Sequence, residues 1–129
     1  MKLLLDTCTF LWIYADAKEL SSTARELFLS PKNLVYLSSV SSWEILIKNK
    51  LGKLPLPENP IDFIRNGRLF HRIETIPLTE AATWRLNEIP DFHKDPFDRI
   101  LICQTIEHKM TLLTPDPLIH QYPIKVVWQ

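Results

Sequence analysis

A chain of 129 residues, 46% of them hydrophobic, has the length and apolar content for a single domain spanning residues 1–129, with a core that needs no disulfide staple. Equal numbers of basic and acidic side chains give a formal net charge of +0 and a pI near 6.9, so bulk attraction to nucleic acid or an anionic membrane is excluded and any such binding must come from local patches. Only Gly52 and Gly67 are present, too few for a Walker A loop or a dinucleotide fingerprint, and no apolar run approaches the roughly 20 residues that cross a bilayer.

The first predicted strand, Lys2 to Leu5, is followed by a helix from about Thr9 to Ala15 and a second from Ser22 to about Leu29, which Pro31 stops. A strand at Leu34 to Leu37 enters the serine-rich stretch Ser38, Ser39, Ser41, Ser42. That stretch caps a helix from about Trp43 to Leu51, with Gly52 in its C-terminal left-handed position. After a proline-rich connection, Asn59-Pro60 starts a short helix to about Arg68, Ile73 to Ile76 forms a strand, and Thr79 to Asn87 an amphipathic helix. The loop from Pro90 to Lys94 leads into the longest helix, Pro96 to about Lys109. A short strand to Thr114 and a last one at Ile124 to Trp128 close the chain. The alternation predicts an α/β fold: a parallel sheet of four or five strands, with helices on both faces and right-handed crossovers.

Four acids stand where apolar strands end or apolar helices begin. Leu3, Leu4 and Leu5 lead into Asp6, and Thr111 to Thr114, with Pro115, leads into Asp116. Glu44 and Asp98 belong to helix starts, marked by Ser41 with Glu44 and by Asp95-Pro96 with Asp98. The rim outside the carboxyl ends of parallel strands is where open α/β sheets bind ligands. Two ionised acids about 4 Å apart repel by roughly 4 kcal/mol at an effective dielectric near 20, so such a cluster requires shared protons, basic partners or a cation. Oxygen donors of this kind favour Mg²⁺ or Mn²⁺.

Each acid taken singly has a structural alternative. Asp6 can cap the helix that follows; Glu44 can complete a capping box with Ser41 and pair with Lys48; Asp116 before Pro117 is a common turn pair. Asp98 lies on a helix apolar on most sides and needs a partner, with Asp95 as the N-cap before Pro96. The case for a shared site is collective. No histidine spacing among His71, His93, His108 and His120 suits zinc, and Cys8 and Cys103, in apolar context and without a signal peptide, read as reduced, buried thiols of a cytoplasmic protein. Trp12, Trp43 and Trp84 are assigned mainly to the core, with a partner-facing surface as the alternative for some of them.

The stretches LLLDTCTFLW, SSVSSWEILIKNKLGKL, HKDPFDRILICQ and LLTPDPLIHQYPI together resemble the PIN-domain ribonucleases, and within them the VapC-type toxins of toxin–antitoxin pairs, over nearly the whole chain. The resemblance implies a three-layer α/β/α fold and a metal site from Asp6, Glu44, Asp98 and Asp116, with Thr7 and Thr114 as hydroxyl neighbours and Asp95 as an extra carboxylate nearby. Cys8 stands where many relatives place histidine or a small polar residue. The resemblance further implies a homodimer and a small cognate antitoxin, with no additional nucleic-acid-binding domain.

On this reading the protein hydrolyses RNA phosphodiesters with one or two Mg²⁺ ions, for which Mn²⁺ substitutes. Asp6 and Asp116 are direct ligands; Glu44 and Asp98 are direct or water-mediated ones. Lys48, Arg99 and His93 are candidate RNA contacts beside the acids. Lys48 with Lys50 and Lys53, and Arg65 with Arg68 and Arg72, form the local basic groups. The rival readings are a non-catalytic PIN-like module that binds RNA or protein, and a haloacid dehalogenase-type phosphatase. The latter requires an Asp where Cys8 stands.

Overall fold

Leu3, Leu4 and Leu5 are all fully buried, the continuous apolar run that a central parallel strand requires because helices cover both its faces. In the computed structural model, which describes residues 1–129, they form β1 (Lys2–Leu5) at the middle of a five-stranded sheet. The other strands are β2 (Leu34–Ser38), β3 (Glu74–Ile76), β4 (Thr111–Leu113) and β5 (Val126–Val127), in the order β3-β2-β1-β4-β5. All pairings are parallel, and Leu5 is level with Leu37 of β2 and Leu113 of β4. Carboxyl ends of the central strands therefore finish at one rim.

Alternation along each strand divides the core into two layers. Leu3, Leu5, Leu37 and Leu113 pack beneath α1 (Thr7–Ala15), α2 (Ser22–Leu29) and α4 (Pro60–His71), with Phe10, Ala24 and Phe63. Leu4 and Leu112 face the other way, onto Leu101, Ile102 and Cys103 of α6 (Pro96–Glu107). The remaining helices, α3 (Ser39–Lys50) and the short α5 (Glu80–Trp84), flank α6, and the sheet with helices on both faces is a three-layer α/β/α arrangement.

Gly67 is needed where α4 crosses α1. A Cβ there would lie 2.8 Å from Phe10 Cζ, and the Phe10 ring is fully buried and held edge-on by Phe63 at 6.1 Å. Gly67→Ala is expected to lower stability by roughly 1–3 kcal/mol through overpacking, although alanine is the better helix former by about 1 kcal/mol. Thermal denaturation checks this; a raised Tm would mean that the two helices are not in such close contact.

Several boundaries differ from expectation for identifiable reasons. Asp6 caps α1 directly, so that helix begins at Thr7 and not Thr9. Ser38 Oγ accepts the Val40 N–H at 3.0 Å, so α3 starts four residues before Trp43; Glu44 falls in its second turn, and the Ser41–Glu44 capping box does not form. The predicted helix over 79–87 splits into α5 and a 3-10 turn at Arg85–Asn87, and α4 runs on to His71. The last strand is only two residues long, Val126–Val127 within the expected Ile124 to Trp128, and is reached through a 3-10 turn at Ile119–Gln121.

Two assignments to the core are overturned. The buried stripe of α3 consists of Val40, Ser41, Glu44 and Ile45, which turns Trp43 outward at 59% exposure, and Trp84 is 66% exposed. Trp12 is half-buried against Trp128, with centroids 5.8 Å apart. Cys103 is buried as expected, whereas Cys8 is exposed. No helix is long and apolar enough to cross a membrane.

Candidate metal centre

The rim at which β1, β2 and β4 end is where most of the buried polar residues collect, among them Asp6, Thr7, Ser38, Ser41, Glu44 and Thr114. Asp6 leaves β1 in extended conformation, 6% exposed, and its Oδ1 accepts the Thr9 N–H at 2.8 Å as the N-cap of α1. Its other oxygen accepts the Thr114 hydroxyl at 2.5 Å. Thr114 follows β4, and the same hydroxyl oxygen accepts the Asp116 N–H at 3.2 Å. One threonine thus links the acid after β1 to the acid after β4.

Asp116 Oδ1 accepts the Leu118 N–H at 2.9 Å, while Oδ2 lies 3.0 Å from His93 Nε2. The same nitrogen is 2.9 Å from Asp98 Oδ2, in the first turn of α6. The ligand atoms of His93, Asp98 and Asp116 all lie within 4.8 Å of one another. Asp95 caps α6, accepting the Phe97 and Asp98 N–H groups at 2.8 and 3.2 Å.

Glu44 reaches the rim from α3, where it is 5% exposed. Its Oε1 accepts the Thr7 hydroxyl at 2.6 Å and its Oε2 pairs with Lys48 Nζ at 2.5 Å. Ser41 Oγ lies 3.0 Å from the Thr7 oxygen. Asp6 and Glu44 are both outside the tight His93 group, but consecutive residues Asp6 and Thr7 join them through the chain.

The electrostatics agree with the geometry. Burial, reinforced by the charges of Asp95 and Asp6 and offset in part by His93, pushes the Asp98 carboxyl up to about 7. Burial also raises Asp6, against the opposing effect of the hydrogen bonds from Thr114 and Thr9. Although Cys8 as a residue is exposed, partial desolvation of its sulfur, reinforced by the charges of Asp6, Asp98 and Glu44, pushes the thiol up to about 11, which leaves it unsuited as a nucleophile. Four carboxylates from separate elements, two of which, Asp6 and Asp98, resist ionisation, fit a hard divalent cation by donor chemistry.

Other sequence candidates are placed less centrally. Lys48 is half-exposed and supplies the counter-charge of Glu44, which raises its pKa. Arg99 hydrogen-bonds the Pro90 and His93 carbonyls, both at 3.2 Å, and pairs with Asp91 at 2.9 Å, so its guanidinium holds the 90–93 loop. Arg68 ties α4 to the sheet edge through the Leu37 and Glu74 carbonyls, whereas Lys50, Lys53 and Arg72 are exposed. Tyr122 and the Thr9 amide also support the site, and nothing local in the sequence marks either for that task. A cavity of about 1120 Å³ lies at the opposite pole between α1, α2 and α4 and contains none of these acids.

The PIN domain family model matches residues 3–125. By sequence, no curated protein matches significantly. By fold the chain is similar to VapBC2 from Rickettsia felis, solved bound to a DNA fragment from their promoter, with a TM-score of 0.75 at 17% identity over 100% of both chains. It is also similar to DNA-bound VapBC from Salmonella typhimurium, with TM-score 0.71 at 14% identity over 98% of this chain and 97% of that one. For VapBC-1 from nontypeable Haemophilus influenzae the TM-score is 0.64 at 17% identity, over 98% and 97%. At these identities the likeness concerns the fold.

Proposed function

Because the chain belongs to the PIN-domain family, we propose that it is a Mg²⁺-dependent endoribonuclease and the VapC-type toxin of a toxin–antitoxin pair. The observation that carries this reading is the convergence of Asp6, Glu44, Asp98 and Asp116 at one rim, with Asp98 pushed up to about 7 by burial among like charges. These four residues would hold the metal, Mg²⁺ or in its place Mn²⁺. When bound, it supplies neutralisation of charge at the scissile phosphate and a lowered pKa for the attacking water.

The protein's own residues do the rest. Thr9 and Thr114 fix both oxygens of Asp6, and Leu118 fixes one of Asp116, so these carboxylates are oriented before substrate arrives. Thr7 and Lys48 do the same for Glu44. One of these carboxylates would accept the proton of the attacking water. Lys48, half-exposed beside Glu44, and the exposed Lys50 and Lys53 offer positive charge to the RNA backbone.

The fold neighbours described above are VapBC complexes, which supports a cognate antitoxin as partner. Exposed apolar side chains on α3 and α4, among them Trp43, Leu46, Ile61, Leu69 and Phe70, support protein–protein contact, with the antitoxin and in a homodimer. The cytoplasm, where RNA and antitoxin meet, is the proposed location.

Cleavage of a mixed RNA pool tests this reading. Purified protein is expected to cut in Mg²⁺ or Mn²⁺, to fall to background in excess EDTA, and to recover when Mg²⁺ is restored. Folded, metal-loaded protein that cuts neither the pool nor purified transfer RNAs would instead support the non-catalytic PIN-like binding module.

A further inference from the structure

The ring of His93 is fixed by a contact that also decides its tautomer. The Asp95 backbone N–H lies 3.1 Å from Nδ1. A backbone N–H can only donate, so Nδ1 must present its lone pair, and in the neutral ring the proton resides on Nε2. That nitrogen hydrogen-bonds Asp116 Oδ2 at 3.0 Å and lies 2.9 Å from Asp98 Oδ2. A nitrogen that carries a proton has no lone pair for a metal.

From this geometry we infer that His93 is a positioning residue and not a metal ligand: its Nε2–H holds Asp116 by a hydrogen bond and stands against Asp98, keeping side by side the two carboxylates that would receive a cation. The inference rests on the metal-site reading above and specifies how that site is assembled. Two carboxylates facing each other would otherwise splay apart. Asp98 Oδ1 and the second lone pairs of the other oxygens stay available, since each carboxylate accepts about four bonds.

The aim of the ring is built into the segment that carries it. His93 lies between Asp91 and Asp95, in chain without regular secondary structure, yet its N–H donates to the Tyr122 hydroxyl at 2.8 Å and its carbonyl accepts from Arg99 at 3.2 Å. Arg99 is anchored in turn by Asp91 at 2.9 Å and the Pro90 carbonyl at 3.2 Å. Backbone nitrogen, backbone oxygen and both ring nitrogens each have a partner, a degree of fixation that a loop residue does not need unless its orientation matters. For Nε2 to bind a metal the proton would have to move to Nδ1, against the Asp95 donor.

Calorimetric titration of the full chain with Mg²⁺, Mn²⁺ and Ni²⁺ separately, as wild type, His93→Phe and His93→Gln, tests this. His93→Phe is expected to weaken all three ions alike, by roughly 10- to 100-fold, the usual cost of losing an outer-sphere partner. His93→Gln, which keeps an N–H donor, is expected to restore most of the affinity; His93→Asn, too short to reach, replaces the Phe variant if that one does not fold. A loss for Ni²⁺ at least about tenfold greater than for Mg²⁺ would make His93 a direct ligand and overturn the inference, because imidazole favours Ni²⁺ far more than Mg²⁺. Equal affinities in all variants would overturn it as well, while leaving the metal site standing. Wild type that binds none of the three ions would remove both.

Discussion

Asp6→Asn and Asp116→Asn are each expected to lower Mg²⁺-dependent RNA cleavage by more than about 100-fold, beyond the 10- to 100-fold that removal of an outer-sphere partner costs. Both substitutions keep the shape of the side chain. Asparagine caps helices as well as aspartate does, so the amide oxygen at position 6 can still receive the Thr9 N–H, and the one at position 116 the Leu118 N–H. Circular dichroism and Tm should therefore remain close to wild type, and the loss can be assigned to chemistry. Cleavage at the wild-type rate by either variant would show that the metal does not sit where the four acids converge.

Asp98→Asn is expected to abolish cleavage while making the metal-free protein more stable near neutral pH. The Asp98 carboxyl is raised from the ordinary 3.8 to about 7, first by burial and then by the charge of Asp95. Between those values the unfolded chain has lost this proton while the folded protein keeps it, so the contribution of this group to stability falls as pH rises through the interval and is gone above about 7. The amide of the variant has no such proton to lose. In EDTA, the variant should melt on the order of 5 °C above wild type at pH 8, with the gap closing as the pH drops toward 4. Saturating Mg²⁺ should stabilise wild type more than the variant. A variant less stable than wild type at pH 8 in EDTA would show that ionised Asp98 supports the fold, contrary to its burial among like charges.

The sheet is legible in the sequence because its signals are local. The run Leu3 to Leu5, the apolar Leu34 to Leu37 and the helix after Pro96 each carry their own burial pattern, and parallel order follows from alternation. The start of α3 is not legible. Four serines between 38 and 42 are all competent caps, and Ser38 is selected by its position at the end of β2, pairing with β3. Glu44 meets the capping-box spacing by coincidence and turns inward, because the register of α3 is set from Ser38.

At the candidate site, the acids are visible as strand and helix ends, whereas their mutual linkage is not. Thr114 reaches Asp6 across 108 residues, and His93 is aimed by Tyr122, 29 residues away. No spacing rule reports such contacts. Trp43 reads as inward from its place in an apolar stripe; the buried Glu44 and Ile45 occupy the inner face that it would need, and its ring instead meets Phe97 at 5.2 Å on the surface.

The central strand β1 has its two neighbours from opposite parts of the chain, β2 close behind it and β4 more than a hundred residues later. During synthesis, which proceeds from the N-terminus, β1 and β2 are available early, and Asp6 and Glu44 with them. Asp98 and Asp116, with the Thr114 hydroxyl that holds Asp6, arrive only as α6 and β4 emerge. A ribosome-bound fragment therefore carries only two of the four rim acids for most of its translation, and if the proposed cleavage depends on all four, it stays silent toward its own messenger until the chain is nearly finished.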